Sequence, residues 1–136
     1  MLNSLQVENF KTWKKLSIEF SSITALFGAN SSGKSSVIQF LLLLKQTKEA
    51  TDRGLSLDFN GTYVKLGEYK DIVFNHDIDS RVSWNLGMVF DDPIVIQDPS
   101  TSRAKSLVRS EALDISGQVR WGTTGAQSSR LQYDIG

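Results

Sequence analysis

Apolar and polar positions alternate with a period of two at both ends of this chain and take a helical period between them. Leu5 and Val7 within residues 2–10, then Leu16, Ile18 and Phe20, predict two amphipathic strands. Ile23 to Phe27 is a short apolar run that stops at Gly28, the pattern of a more deeply buried strand feeding a tight turn. From Lys34 to Lys48 the residues Val37, Ile38, Phe40, Leu41, Leu42, Leu43 and Leu44 surround most of a helix circumference. That distribution predicts a central helix covered on more than one side.

Further along, Leu55, Leu57 and Phe59 alternate up to Asn60-Gly61, the dipeptide suited to a tight hairpin turn, and Tyr63 to Leu66 would return as the partner strand. Val82, Trp84, Leu86, Met88 and Phe90 alternate strictly, whereas residues 99–110 are rich in Ser and basic side chains and predict an exposed loop. Leu113 to Trp121 and Arg130 to Ile135 predict two more strands, and the neighbours of the last are expected partly beyond Gly136. No repeat or linker divides the chain, and its 136 residues predict a single core.

Composition removes several classes of function. Fifteen Lys and Arg balance fifteen Asp and Glu, so no net field draws the chain to nucleic acid or to an anionic membrane. DNA as a partner has no support from charge, since Arg103, Lys105 and Arg109 lack interleaved aromatic residues and predict a solvated loop. The absence of cysteine excludes a disulfide scaffold, thiolate zinc and a cysteine nucleophile. The longest apolar stretch is far below the ~20 residues that span a bilayer, and no signal-peptide pattern opens the chain, so no membrane partner is expected and the cytoplasm is the expected compartment. His76, among Asn75, Asp77 and Asp79, predicts a solvated turn more readily than a metal site.

Chemistry concentrates in Gly28-Ala29-Asn30-Ser31-Ser32-Gly33-Lys34-Ser35, which has the spacing of a phosphate-binding P-loop, G-x-x-x-x-G-K-[ST]. The glycines let the backbone wrap so that successive amides face one phosphate, and the helix beginning near Lys34 points the positive end of its dipole inward. Lys34 adds a mobile point charge for the β- and γ-phosphates, Ser35 ligates Mg²⁺, and Ser36 offers a further hydroxyl from the first helical turn. The expected ligands are therefore ATP and Mg²⁺.

The segment Val7-Glu8-Asn9-Phe10-Lys11-Thr12-Trp13, followed by Phe27 to Ser36, resembles the N-terminus of ABC-type AAA ATPases related to SMC, RecF and the overcoming-lysogenisation-defect proteins. Leu41 to Thr47 and Leu66 to Asp77 resemble more narrowly a bacterial branch, several members of which sit in antiphage systems. The resemblance implies an α/β fold for residues 1–136, the N-terminal lobe of an ATPase head, with antiparallel strands around a central P-loop strand and helix. It also implies that Lys11 approaches the nucleotide, that a second head sandwiches ATP, and that an effector subunit or domain is coupled to turnover. Gln46 invites comparison with a γ-phosphate-sensing glutamine, but it ends the P-loop helix, where a polar residue commonly meets water or the last carbonyls.

A complete head of this kind also needs a signature helix, an apolar strand ending in Asp-Glu and a switch histidine. Ile115-Ser116-Gly117-Gln118 echoes the signature motif within a strand pattern, and Ile94 to Asp98 ends in Asp-Pro. Met88-Val89-Phe90-Asp91-Asp92 mimics a Walker B strand, but its alternation predicts a half-exposed antiparallel one. Hydrolysis is therefore expected to need a C-terminal half. Two other readings are a nucleotide-dependent interaction module without turnover and a small self-sufficient phosphotransferase using Asp91.

Overall fold

Strands β1 (Leu2–Phe10) and β2 (Trp13–Glu19) form an antiparallel hairpin in which Leu5 lies opposite Ile18 and Val7 opposite Leu16. The computed structural model describes residues 1–51, 56–100 and 106–135. Helix α1 (Lys34–Glu49) follows the hairpin, and a short helix α2 (Tyr69–Ile72) passes through a 3-10 turn at Phe74–His76 into β3 (Val82–Gln97), β4 (Ser106–Gly122) and β5 (Gly125–Ile135). The five strands make one sheet in the order β2-β1-β3-β4-β5, every neighbouring pair antiparallel.

Strand alternation gives the sheet two unlike faces. Leu5, Val7, Val82, Trp84 and Val119 belong to one buried cluster with Val37, Phe40 and Leu43 of α1. Phe40 is its centre: its ring meets Phe10 edge-on at 4.9 Å and Trp84 at 6.0 Å, geometries that favour aromatic pairs beyond simple area burial. Tyr69 closes one end, its hydroxyl proton shared between the carbonyls of Ser80 at 2.7 Å and Val119 at 3.1 Å. Burial pushes its phenol above the ordinary value. The opposite face is polar, with Gln6, Asn85, Ser116 and Gln132 directly opposite one another across four strands.

The α/β class, the β1–β2 hairpin, the antiparallel placement of Met88 to Asp92 and the two late strands agree with the sequence pattern. Four expectations change. Ile23 to Phe27 runs outside the sheet, with Ile23 89% and Phe27 91% exposed. Both sides of β1 are taken by β2 and β3, and the described residues offer this run no parallel neighbour. Helix α1 is buried along one stripe, Ser36, Val37, Phe40, Leu43 and Gln46, while Ile38 is 56% exposed. One sheet face therefore covers one side of it.

The expected hairpin around Asn60-Gly61 reduces to a single bridge between Asn60 and Lys65, and Leu55 lies outside the described residues. Its ladder is replaced by Gln46, whose amide donates to the carbonyls of Asp58 and Val64 and accepts from the backbone N–H of Tyr63 at 3.1 Å and Val64 at 2.9 Å. Within 99–110, residues 106–110 belong to β4 and pair with Ile94 to Gln97; Arg103 and Lys105 lie outside the described residues. Ile115 to Gln118 sits in the middle of β4, where the missing Cβ of Gly117 leaves room for the Trp84 ring. No helix among the described residues is long and apolar enough to cross a membrane.

Candidate phosphate-binding site

The loop from Gly28 to Gly33 enters α1 through backbone conformations that few residues adopt. Ser31 has φ 72° and Gly33, the helix N-cap, has φ 89°, the left-handed region in which a Cβ is penalised. Space imposes the same demand at Gly33, because a Cβ there would lie 2.6 Å from Nε1 of Trp13 and 2.7 Å from Cε2. The half-buried Trp13 begins β2, next to the tight turn that follows β1, so the hairpin supports the glycine at which the helix starts.

Lys34 folds back across the loop. Its ammonium donates to the carbonyl of Gly28 at 2.6 Å and that of Ala29 at 2.5 Å, with Ser32 Oγ at 3.4 Å. The amide of Ser32 closes onto the Ala29 carbonyl at 3.2 Å, and that of Ser36 onto the Gly33 carbonyl at 2.9 Å. Gly28, Ala29, Asn30, Ser31 and Ser32 are exposed, as is Ser35, whereas Ser36 is buried against the core. The sequence-predicted loop residues thus form one exposed turn with a lysine across it at a helix N-terminus. A helix start leaves its first amides without intrahelical acceptors, so this surface combines free donors, a positive dipole end and a cation.

Lys11 lies close by on a different footing. At φ 49° it occupies the turn between β1 and β2, its amide donates to the Ile72 carbonyl at 2.6 Å, and its Nζ donates to Gln39 Oε1 at 2.7 Å. Gln39 lies four residues after Ser35, on the same helix face one turn on, about 6 Å along the axis. Partial burial holds the Lys11 ammonium below its ordinary value. Asp91 is far from this place. β1 meets β3 with Leu2 opposite Met88, so Asp91 lies beyond the Leu2 end, while Trp13 and Gly33 lie beyond the Phe10 end. The nine residues of β1 separate them, about 30 Å of strand.

Two further expected features take structural roles. Gln46 clamps residues 58–64 from a buried position instead of meeting water. The Nδ1 of His76 hydrogen-bonds the Lys70 carbonyl at 2.7 Å, which orients the ring within its turn. Trp13 is the site residue that motif spacing overlooked. Its signal was an aromatic residue directly after the turn at Lys11 and Thr12, but only the fold brings it to Gly33.

A family model described as AAA ATPase domain matches residues 1–127. The DNA replication and repair protein RecF of Oenococcus oeni is 29% identical over 107 residues, covering 63% of this chain and 29% of that protein. RecF of Lactobacillus acidophilus is 32% identical over 89 residues, covering 62% of this chain and 22% of that protein. The chain therefore spans less than a third of the length of these relatives. A solved chain, from work on ATP-driven dimerization and DNA stimulated activation of SMC ATPases, superposes with a TM-score of 0.50 at 19% identity, covering 98% of this chain and 68% of that one.

Proposed function

We propose that this chain, which belongs to the AAA ATPase domain family, binds Mg-ATP through Gly28 to Ser36 as the N-terminal lobe of an SMC- and RecF-like ATPase head. One observation carries the reading: Lys34, at the start of α1, holds its ammonium across the loop against two backbone carbonyls. A triphosphate entering the turn offers that ammonium stronger, charged acceptors. Lys34 then stabilises charge on the transferred phosphoryl group, and the backbone amides of Asn30 to Lys34 cradle the β-phosphate. Ser35, exposed at the helix start, is the residue that would hold Mg²⁺, whose charge neutralises the phosphates when bound. Ser36 supports the first turn from below, and Lys11 reaches the nucleotide only by exchanging its bond to Gln39.

Hydrolysis in this reading depends on groups expected from a C-terminal half: a carboxylate beside the metal, a signature helix and a residue that positions water. A second head brings the signature helix onto the bound ATP, and an effector subunit or domain uses the opening and closing of the pair. The resemblance of Leu41 to Thr47 and Leu66 to Asp77 supports a role in antiphage defence. The location of Asp91 beyond the far end of β1 argues against a self-sufficient phosphotransferase.

The test is the Mg²⁺ dependence of ATP affinity. Wild type binds ATP more tightly with Mg²⁺ than with chelator, and Ser35→Ala loses most of that difference while keeping metal-free binding. No ATP binding by wild type in either condition contradicts the reading.

A further inference from the structure

Lys11 stands where a lysine does not favour the fold. It occupies the turn between Phe10 and Trp13, which pair across the β1–β2 hairpin, and its φ is 49°. Asn9, Asn75 and His76 share the left-handed region, but asparagine and histidine enter it readily, whereas a lysine bears the steric cost with no local hydrogen bond to offset it. The side chain is half-buried, and its ammonium donates to a neutral acceptor, Gln39 Oε1, at 2.7 Å. The ion pairs among the described residues are Lys15–Glu8 and Lys70–Glu68. The Lys11 charge is therefore partly withdrawn from water without an opposite charge beside it, an arrangement that opposes folding.

Its position gives this cation a use. The backbone is fixed, because the Lys11 amide donates to the Ile72 carbonyl at 2.6 Å and Phe10 bridges Val73. Two residues on, Trp13 fills the space in front of Gly33, the N-cap of α1. Motion is left to the side chain, and Gln39 holds it on the helix face that carries Ser35, one turn or about 6 Å from the helix start.

We propose that Gln39 is a positioning residue for Lys11: its neutral amide holds the ammonium beside α1 in the absence of nucleotide and yields it to the polyphosphate of a bound nucleoside triphosphate. This rests on phosphate binding by Gly28 to Ser36 and adds a residue that sets how readily the second cation is released. An amide oxygen has no net charge, so anionic phosphate oxygens displace it. It still gives the half-buried ammonium a partner when no phosphate is present. Lys34 is held in the same manner, on the neutral carbonyls of Gly28 and Ala29.

The test is calorimetric titration of the full-length protein with Mg-ATP and with adenosine, beside thermal melting without nucleotide. Gln39→Glu turns the contact into an ion pair, so it raises the melting temperature and weakens ATP about tenfold. Gln39→Leu removes the competing acceptor, so it lowers the melting temperature and tightens ATP about threefold. Gln39→Leu introduces no charge, and its gain disappears in the Lys11→Met background because it acts through the Lys11 ammonium. Adenosine affinity stays within about twofold in every variant, whereas a merely structural role for Gln39 would move ATP and adenosine together. No ATP binding by wild type overturns both this proposal and the phosphate-loop reading. ATP binding that is lost in Lys34→Ala yet unmoved by Gln39→Glu and Gln39→Leu, or a Gln39→Leu gain that persists in Lys11→Met, overturns this proposal alone.

Discussion

Trp13 and Gly33 share one space: the indole of the first residue of β2 lies where a side chain on the helix N-cap would project, 2.6 Å from the position of a Cβ. The hairpin and the phosphate loop are therefore fitted to each other, and the conformation of Gly33, at φ 89°, is held from the core side. Gly33→Ala meets both the backbone penalty and the ring. It should cost about 1–3 kcal/mol of stability and most of the nucleotide affinity. Adding Trp13→Ala removes the steric part alone, so the double variant should regain stability relative to expectation from the two single changes in a urea double-mutant cycle.

Gln46 tests the reading of residues 58–64 as a clamped loop. Its side chain is 2% exposed and serves backbone groups of Asp58, Tyr63 and Val64. Gln46→Ala should lower stability by about 3 kcal/mol, since buried carbonyls and amides lose their partners. Gln46→Glu keeps the acceptor oxygen but sets a buried carboxylate oxygen against the Asp58 and Val64 carbonyls that the amide served, so it should lower stability at least as much as Gln46→Ala in chemical denaturation. If Gln46 were a solvated helix end, Gln46→Ala would leave the midpoint unchanged.

How much of this was legible in the sequence depended on whether the signal was local. The P-loop spacing and the alternation at Val82 to Phe90 and Leu113 to Trp121 are short-range patterns, and the structure forms the turn and antiparallel strands they describe. Ile23 to Phe27 carried an equally strong apolar signal, but a buried strand needs neighbours, and β1 already has β2 and β3 beside it. Asn60-Gly61 likewise favoured a hairpin until Gln46, far along the chain, took the backbone groups of its ladder. Trp13 against Gly33 and Lys11 against Gln39 are long-range meetings that no periodicity encodes.

Lys11 supplies a pH signature. Partial burial lowers its folded pKa below the unfolded value, so between the two values the unfolded chain binds more protons and stability rises with pH. Below that window the desolvation cost is present in full. Lys11→Met removes the titrating group, so the stability of wild type relative to Lys11→Met should shift in favour of wild type as the pH rises toward and through the ordinary lysine range. A difference that stays flat, or moves against wild type, would contradict the burial assigned to this ammonium.

Asp91 provides a negative control for the site. It stands beyond the Leu2 end of β1, whereas the loop stands beyond the Phe10 end. Asp91→Asn should leave Mg-ATP affinity unchanged within about twofold, well below the loss expected when a charged partner of the ligand is removed. Residues 1–136 alone should release little phosphate at saturating Mg-ATP. Clear turnover abolished by Asp91→Asn would restore the self-sufficient enzyme.

The central claim is that Lys34 exchanges the carbonyls of Gly28 and Ala29 for the phosphates of ATP. Calorimetric titration of the full-length protein and of Lys34→Ala with Mg-ATP and with adenosine measures that exchange directly. Loss of hydrogen bonds to a charged group should weaken ATP by about 10- to 100-fold, with little change for adenosine, which has no phosphates for Lys34 to meet. Equal ATP affinities for the two proteins would contradict the account.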